Sequence, residues 1–412
     1  MQVYLVGGAV RDRLLGLTVK ERDYVVVGAT REELLKANYR EVGRDFPVFL
    51  HPVSHEEYAL ARLERKVAPG YRGFAVEFGP EVTLEEDLLR RDLTINAIAE
   101  SPDGTLIDPF GGQRDLEQRL LRHVSGAFVE DPVRILRVAR FAARFAPLGF
   151  RVAPETLELM REMVKRGEVD ALVAERVWQE TEKALKEASA GEFFRVLRAV
   201  GALKVIYPEL DALFGIPQPA KWHPEIDTGV HVLMVLDQAV RLSGDPKVRF
   251  AALMHDLGKG KTPPLEWPSH KGHEQKSVEL IDRLCARLRV PGEYKELALI
   301  VARQHGNVHR ALELRAATVV DILESSDAFR RAERFELALI ACEADSRGRL
   351  GLEQEPYPQR AFFSAARSAA AQVKPGAAQL AAGGAKIAEF VRRGRIAAVS
   401  AVRRDFGAPA ES

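Results

Sequence analysis

The chain has 412 residues, enough for roughly two to four domains with a sizeable core. Its 46% hydrophobic and 29% charged content suits a globular protein, and a net charge of +1 excludes an overall polycation, so any polyanion site must come from local clusters of Arg and Lys. Two cysteines, Cys285 and Cys342, exclude a disulfide scaffold and point to a reducing compartment, and no apolar run approaches the ~20 residues of a membrane span.

The opening "YLVGGAVRDRLLGLTVKERDYVVVG", residues 4–28, sets two β-branched runs around a helical one. It lacks the basic start and long apolar core of a signal peptide. Gly7 and Gly8 open the helical run, where backbone N–H groups can face a phosphate, and Arg11 follows one turn in. Glu21 and Asp23 stand two places apart on the second run, so they project from one face, roughly 7 Å apart. Paired carboxylates of that kind bind hard cations such as Mg²⁺. The valines after Asp23 predict a buried strand, in which an acid pair would be costly without a metal.

Further along, "TREELLKAN" predicts a short helix with Thr30 as N-cap and Glu33 at the capping-box position. "FPVFLHP" and "EEYALARLER" predict strands, the second alternating. "VAPGYRGFAVEFGPE" has no period and reads as a mobile loop. In "EEDLLRRDLTINAIA", residues 85–99, Arg90, Arg91 and Asp92 stand ahead of an apolar run. They are either a helix-capping charge cluster or, functionally, place Arg91 on a triphosphate. "EDPVRILRVARFAARF", residues 130–145, predicts a helix with Asp131 as N-cap and Pro132 as first helical residue. At ~100° per residue, Arg137, Arg140 and Arg144 share a sector with Arg134 on its flank, opposite Ile135, Val138, Ala139, Ala142 and Phe145. No acids interleave those arginines, so the face reads as a bank of guanidiniums suited to phosphate oxygens and base edges.

The rest of the chain reads as helical. "AERVWQETEKAL", residues 174–185, is an amphipathic helix with Trp178 in the core. Pro and Gly cluster at residues 214–229, a domain boundary, where "KWHPEIDTG" reads as a lead-in turn without chemistry. Six of the ten histidines fall within 231–309: His231, His255, His270, His273, His305 and His309. Adjacent His255–Asp256, followed by Gly258 and Lys259, suits a transition metal. The C-terminal stretch is Ala-rich with a basic segment, Arg392, Arg393, Arg395, Arg403 and Arg404, that either touches an RNA backbone or is a solvated helix.

The runs "LVGGAVRD…ERDYVVVG", "RRDLTINA" and "EDPVRILRVARF" resemble the motifs of class II tRNA nucleotidyltransferases, the bacterial CCA-adding enzymes. The resemblance extends in order to about residue 350. It implies an α+β chain: a polymerase-β-like nucleotidyltransferase head with a mixed sheet (1–140), an all-α neck and body (141–222), an α-helical HD domain (223–350) and a helical tail (351–412). It implies addition of C, C and A to the 3′ end of tRNA from CTP and ATP. By the motifs, Glu21 and Asp23 match the catalytic Mg²⁺ carboxylates, and Gly8, Arg11, Arg91, Arg137 and Arg140 match nucleotide-binding positions. Asp131 and Arg134 match the pair that reads the incoming base. Cytosine and adenine each show an amine donor beside a ring-nitrogen acceptor, complementing an acceptor-only Asp and a donor-only Arg. The loop near 64–80 is the candidate lever for switching from C to A, and Glu64 a candidate third carboxylate.

The histidine block resembles the HD phosphohydrolase superfamily, whose H…HD…D ligands map onto His231, His255 and Asp256. The last Asp is Asp345 or Asp327, with Asp345 the better fit, and His273 and His305 are extra ligands or phosphate contacts. This resemblance implies phosphatase, 2′-nucleotidase and 2′,3′-cyclic phosphodiesterase activities with Ni²⁺ or another divalent metal. The expected setting is cytoplasmic, with no membrane partner, as a monomer or a homodimer. Two other readings stay open: a poly(A) polymerase, which shares the first motifs, and a regulatory nucleotide-binding protein whose HD unit senses ligands.

Overall fold

The computed structural model describes residues 1–42, 48–66, 74–376 and 384–407. The chain divides into two compact units, Met1–Ile206 and Tyr207–Ser412.

The first unit is built on a mixed sheet. Its strands are β1 (Gln2–Val6), β2 (Asp23–Val27), β3 (Arg40–Val42), β4 (Val48–Leu50), β5 (Glu57–Leu60), β8 (Ala99–Glu100) and β9 (Leu106–Ile107), while β6 (Arg62–Lys66) and β7 (Phe74–Phe78) pair apart. The order in the large sheet is β3-β4-β5-β2-β1-β8-β9, with β2 and β5 parallel and the other pairs antiparallel. Adjacent valines of β2 face opposite ways: Val25 joins Val6, Ala61, Val82 and Leu88, and Val26 joins Ala29, Leu34, Phe49 and Leu60. A strand covered on both faces reads as an unbroken apolar run, which is why "VVV" was legible. Thr30 caps the helix Arg31–Lys36 in a full capping box with Glu33, as expected.

The expected single strand "EEYALARLER" is two. The N–H of buried Ala61 donates to the Val26 carbonyl at 2.9 Å, and beyond it the chain leaves the large sheet to pair with Phe74–Phe78. Part of the expected loop is therefore a strand. Residues 67–73 of that loop, and the side chain of Glu64, lie outside the described residues.

Helix Val133–Phe145 carries the rest of the unit. Ile135, Val138, Ala139, Ala142 and Phe145 are all buried, as the periodicity predicts. It packs on helices Ala174–Leu185 and Ala190–Ala199, and Trp178 is buried as expected. Its N-cap is Pro132 rather than Asp131. Asp131 sits one residue further out and still accepts the Val133 N–H at 3.1 Å, the work expected of a cap.

The second unit is helical, with principal helices Thr228–Leu242, Pro246–Met254, His273–Leu288, Gly292–His309, Ala316–Ser325, Ala332–Arg347, Pro358–Ala371 and Gly384–Asp405. Asp227 caps the first of these by accepting from Val230 N–H at 2.9 Å. On the last helix, Arg392 and Arg395 pair with Glu324 at 3.2 and 2.9 Å, and Arg403 is buried. Those three are not a solvated basic face. No described helix is long and apolar enough to cross a membrane.

Candidate functional site

In the first unit the register of β1 against β2 sets Val6 opposite Asp23. Asp23 therefore lies beside the turn that follows Val6. Gly7 there has a φ of 69°, and a Cβ at Gly7 would sit 2.8 Å from Nη1 of Arg91. Only glycine gives both the left-handed backbone and the close approach. Gly8 then starts the helix Gly8–Leu14, whose first N–H groups have no partner inside the helix.

Arg91 reaches this turn because the charge cluster trails its helix instead of leading one. Helix Leu84–Leu89 ends at Arg90, and buried Asp87 holds Arg90 at 2.6 Å and Arg91 at 3.1 Å. Burial alone would raise the Asp87 pKa, but Arg91 and Arg90 bring it below the ordinary value.

Glu21 lies just before β2, not within it, and both Glu21 and Asp23 are exposed. The expected cost of a buried acid pair thus does not arise. Asp23 opens to solvent on one side and is crowded by protein on the other. That crowding raises its pKa, with Arg91 opposing and Glu21 adding. Two hard carboxylates that repel each other beside an Arg-lined glycine turn are the donor set a Mg²⁺ ion suits.

The arginine bank is real but already occupied. Arg137 Nε is 2.7 Å from Asp92, Arg140 Nε is 2.6 Å from Glu180, and Arg144 Nη2 is 2.8 Å from Asp12. The acids missing from the helix come from three other elements. Arg134 is buried and donates to the carbonyls of Arg90 (2.6 Å) and Ala127 (3.0 Å). Asp131 takes a bidentate pair from Arg176, at 3.0 and 2.7 Å. Of roughly four lone-pair sites on a carboxylate, Arg176 and the Val133 N–H use three. Arg11 is 3% exposed, bonded to Asp12 and Asn96, with its guanidinium over Phe141 and Phe145 at 5.3 and 5.0 Å. It joins the first helix to the arginine helix. Asp92 was noted only as part of a charge cluster, and Asp12, Arg176 and Glu180 were not singled out by sequence reasoning, since the arginine-helix partners of these acids and the Asp131 that Arg176 holds are remote in sequence.

Burial pushes Asp92 upward, yet Arg137 and the Asn96 amide hold it well below the usual carboxylate range. The folded state thus resists protonation more than the unfolded chain. This stability is present in full above the unfolded value of about 3.9 and fades as pH falls toward the depressed one. Asp92→Asn should lower the urea midpoint followed by circular dichroism at neutral pH. It should also flatten the loss of stability between about pH 5 and pH 3. An acid limb as steep as that of the parent protein would refute this.

In the second unit, helices bring His231, His255, Asp256, His273, His305, His309 and Asp345 together. Ligand-capable atoms of His231–His255–Asp256, of His255–His305–Asp345 and of Asp256–His273–His305 each lie within 4.8 Å of one another. Asp345 belongs to the cluster, whereas Asp327 faces Arg331 and Arg334 at 3.7 and 3.9 Å. Gly258 makes room for the cluster: a Cβ there would lie 2.0 Å from the His273 carbonyl. Its N–H donates to Ser277 at 2.8 Å, tying the turn after Asp256 to the helix that starts at His273.

His231 has a carboxylate at each nitrogen, Glu225 Oε1 2.9 Å from Nδ1 and Asp345 Oδ1 3.1 Å from Nε2. His255 Nε2 and Asp256 Oδ1 are buried without an aligned hydrogen bond. Burial opposes charge on His255, but Asp256 and Asp345 outweigh it and raise its pKa. Burial lowers His305 to about 3. Such a set of orphaned N and O donors fits a divalent transition metal held by His231, His255, Asp256 and Asp345.

The turn "KWHPEIDTG" reaches the cluster: Glu225 Oε1 meets His223 Nδ1 at 3.1 Å as well as His231 Nδ1, and so holds the His231 ring from behind. His309 Nε2 contacts Asp345 Oδ2 at 2.7 Å, and the Tyr357 hydroxyl contacts His309 Nδ1 at 2.9 Å. His270 bonds to Thr262 and the Pro217 carbonyl and stands outside the cluster.

Family models match three stretches: the Poly A polymerase head domain over residues 3–122, the probable RNA and SrmB-binding site of polymerase A over 149–214, and the HD domain over 228–349. The chain is 68% identical to the multifunctional CCA protein of Thioalkalivibrio sulfidiphilus over 89% of its length and 90% of the relative's. It is 62% identical to that of Alkalilimnicola ehrlichii over 99% of both. Solved structures share the fold at low identity. A CCA-adding enzyme in complex with ATP gives a TM-score of 0.66 at 23% identity, covering 98% of this chain and 89% of that one. The Thermotoga maritima CCA-adding enzyme with tRNA gives 0.63 at 21%, covering 98% and 91%. With more than three-fifths of its residues shared along nearly its whole length, the chain belongs to the multifunctional CCA protein family.

Proposed function

We propose that the chain adds C, C and A to the 3′ end of tRNA in the cytoplasm, using CTP and ATP and releasing pyrophosphate. We further propose that its second unit hydrolyses phosphoesters at RNA ends, as a phosphatase, 2′-nucleotidase and 2′,3′-cyclic phosphodiesterase. The working segments are a head (1–140), neck and body (141–222), HD domain (223–350) and tail (351–412). The observation that carries the first reading is the strand register that sets Asp23 beside Gly7 and Arg91.

Glu21 and Asp23 would hold Mg²⁺, whose charge activates the tRNA 3′-hydroxyl and stabilises the leaving pyrophosphate. The free N–H groups from Gly8 onward, with Arg91, take the phosphate oxygens. Arg137 and Arg140 divide their N–H donors between Asp92 or Glu180 and the incoming nucleotide. Asp131, fixed by Arg176, accepts from the exocyclic amine of C or A, and Arg134 donates to the ring nitrogen. U and G present those groups reversed and are rejected. His231, His255, Asp256 and Asp345 would hold Ni²⁺ or a similar ion, which polarises a phosphoester and acidifies water.

The test uses purified protein, tRNA ending at the discriminator base, and labelled CTP and ATP. Ordered addition of C, C and A is the expected result. Runs of A would indicate a poly(A) polymerase instead, and no transfer would indicate a ligand sensor.

A further inference from the structure

We infer that Arg349 is an anion-binding residue of the second unit, and that it takes a second phosphate of the substrate, beside the one that reacts. The inference rests on the phosphohydrolase reading of this unit and gives it a recognition residue.

Arg349 follows helix Ala332–Arg347 by two residues, and its backbone is fixed on both sides. Before it, Gly348 packs so closely that a Cβ there would lie 2.6 Å from the Val235 Cα. Val235 stands one turn beyond His231 on helix Thr228–Leu242. After it, Leu350 donates its N–H to Glu225 Oε2 at 3.3 Å, and the other oxygen of that carboxylate meets His231 Nδ1 at 2.9 Å. Arg349 is thus bracketed by contacts to the helix that carries His231 and to the acid behind its ring.

The guanidinium has no acid of its own. Arg349 is half-buried, and its Nε is buried without a hydrogen-bond partner. Arg334, Arg347, Arg367 and Arg395 also bury Nε in this way, but each is paired with a glutamate. Among the described residues no carboxylate forms an ion pair with Arg349, although Arg347 and Arg360 both hold Glu343 nearby in sequence, each at 2.9 Å. Burying part of a guanidinium with neither hydrogen bond nor counterion is costly unless a ligand supplies them.

Its charge is felt on two flanks of the cluster. Burial lowers the His223 pKa and Arg349 adds to the fall, while burial raises the Tyr357 pKa and Arg349 opposes the rise. His223 meets Glu225 at 3.1 Å, and the Tyr357 hydroxyl meets His309 at 2.9 Å. The ion pairs of Asp256 and Asp345 are with Lys259 and histidines, not with Arg349. The fork therefore stands close to the cluster but off the atoms where the reacting phosphate would sit.

The donor type selects the ligand. Parallel guanidinium N–H groups match the oxygens of a phosphate, and displacement from the cluster suits a flanking phosphate over the reacting one. The substrate class is a nucleotide or RNA end that carries two phosphates, one at the 2′ or 3′ position and one on the 5′ oxygen, in preference to a lone phosphomonoester.

The test compares hydrolysis of adenosine 2′,3′-cyclic phosphate with and without a 5′-phosphate by the full chain. The parent protein should favour the 5′-phosphorylated substrate by about tenfold in kcat/KM, chiefly through KM. Arg349→Ala, checked for folding by circular dichroism, should bring that ratio close to one, and Arg349→Lys should restore part of it. A ratio near one in the parent protein would overturn the inference, whatever the variants do. A preference kept in full by Arg349→Ala would overturn it too, as would an equal fall in kcat on both substrates. Equilibrium dialysis with labelled adenosine 2′,5′-bisphosphate and adenosine 2′-monophosphate repeats the comparison without turnover. If the parent protein hydrolyses neither cyclic substrate, the phosphohydrolase reading falls and the dialysis still decides Arg349. Tighter binding of the bisphosphate that Arg349→Ala removes supports the assignment, and equal binding of the two ligands rejects it.

Discussion

Asp23→Ala should abolish nucleotide addition to tRNA without disturbing the fold. Its side chain is exposed at the start of β2 and is not part of the core clusters formed by Val25 and Val26. Loss of a carboxylate that positions cation charge against a triphosphate removes several kcal/mol of transition-state stabilisation, or about 10³-fold in rate. The measurement is single-turnover incorporation of labelled CMP into tRNA lacking its terminal residues. Asp23→Asn, equal in size, should fail similarly, because the neutral amide does not replace the negative charge. Phosphate release by the second unit should stay unchanged. Full-speed incorporation by the alanine variant would remove the head carboxylates from the mechanism.

His255→Ala should give the converse result. Release of phosphate from a phosphomonoester, and opening of a 2′,3′-cyclic phosphate, should fall by about 10²-fold or more, since a donor is lost from the centre of the cluster. CMP incorporation should continue at the parent rate, because the residues proposed for nucleotidyl transfer all lie in the first unit. The side chain is fully buried, so the variant also leaves a cavity. His255→Gln keeps most of the volume and separates lost chemistry from lost packing. If a folded variant lost both activities together, the two-site arrangement would be wrong.

The sequence was most legible where local period fixed structure. The valines of β2, the capping box at Thr30 and the apolar stripe of Val133–Phe145 follow from patterns within a few residues. Adjacent His255–Asp256 was visible for the same reason, and so was the glycine turn. What stayed hidden depends on pairing across the chain. Arg137 and Arg140 meet acids 45 and 40 residues away, and Arg144 meets one 132 residues away. His231 meets Asp345 across 114 residues. Neither periodicity nor spacing carries such information, so the arginine face read as bare. Glu225 and His223 were missed because a Pro-rich turn has no period to mark which side chains point inward. Glu21 was placed within β2 because residue alternation shows that two side chains share a face but not where pairing begins.

The resident carboxylates on the arginine helix have one more effect. Three of its guanidiniums already carry a counterion within the protein, so this face of the helix projects little uncompensated positive potential into solution. A stray polyanion gains little by approaching it. A nucleotide bound there as proposed would have to take over contacts one by one, exchanging an internal anion for its own. Discrimination would then arise from geometry at close range.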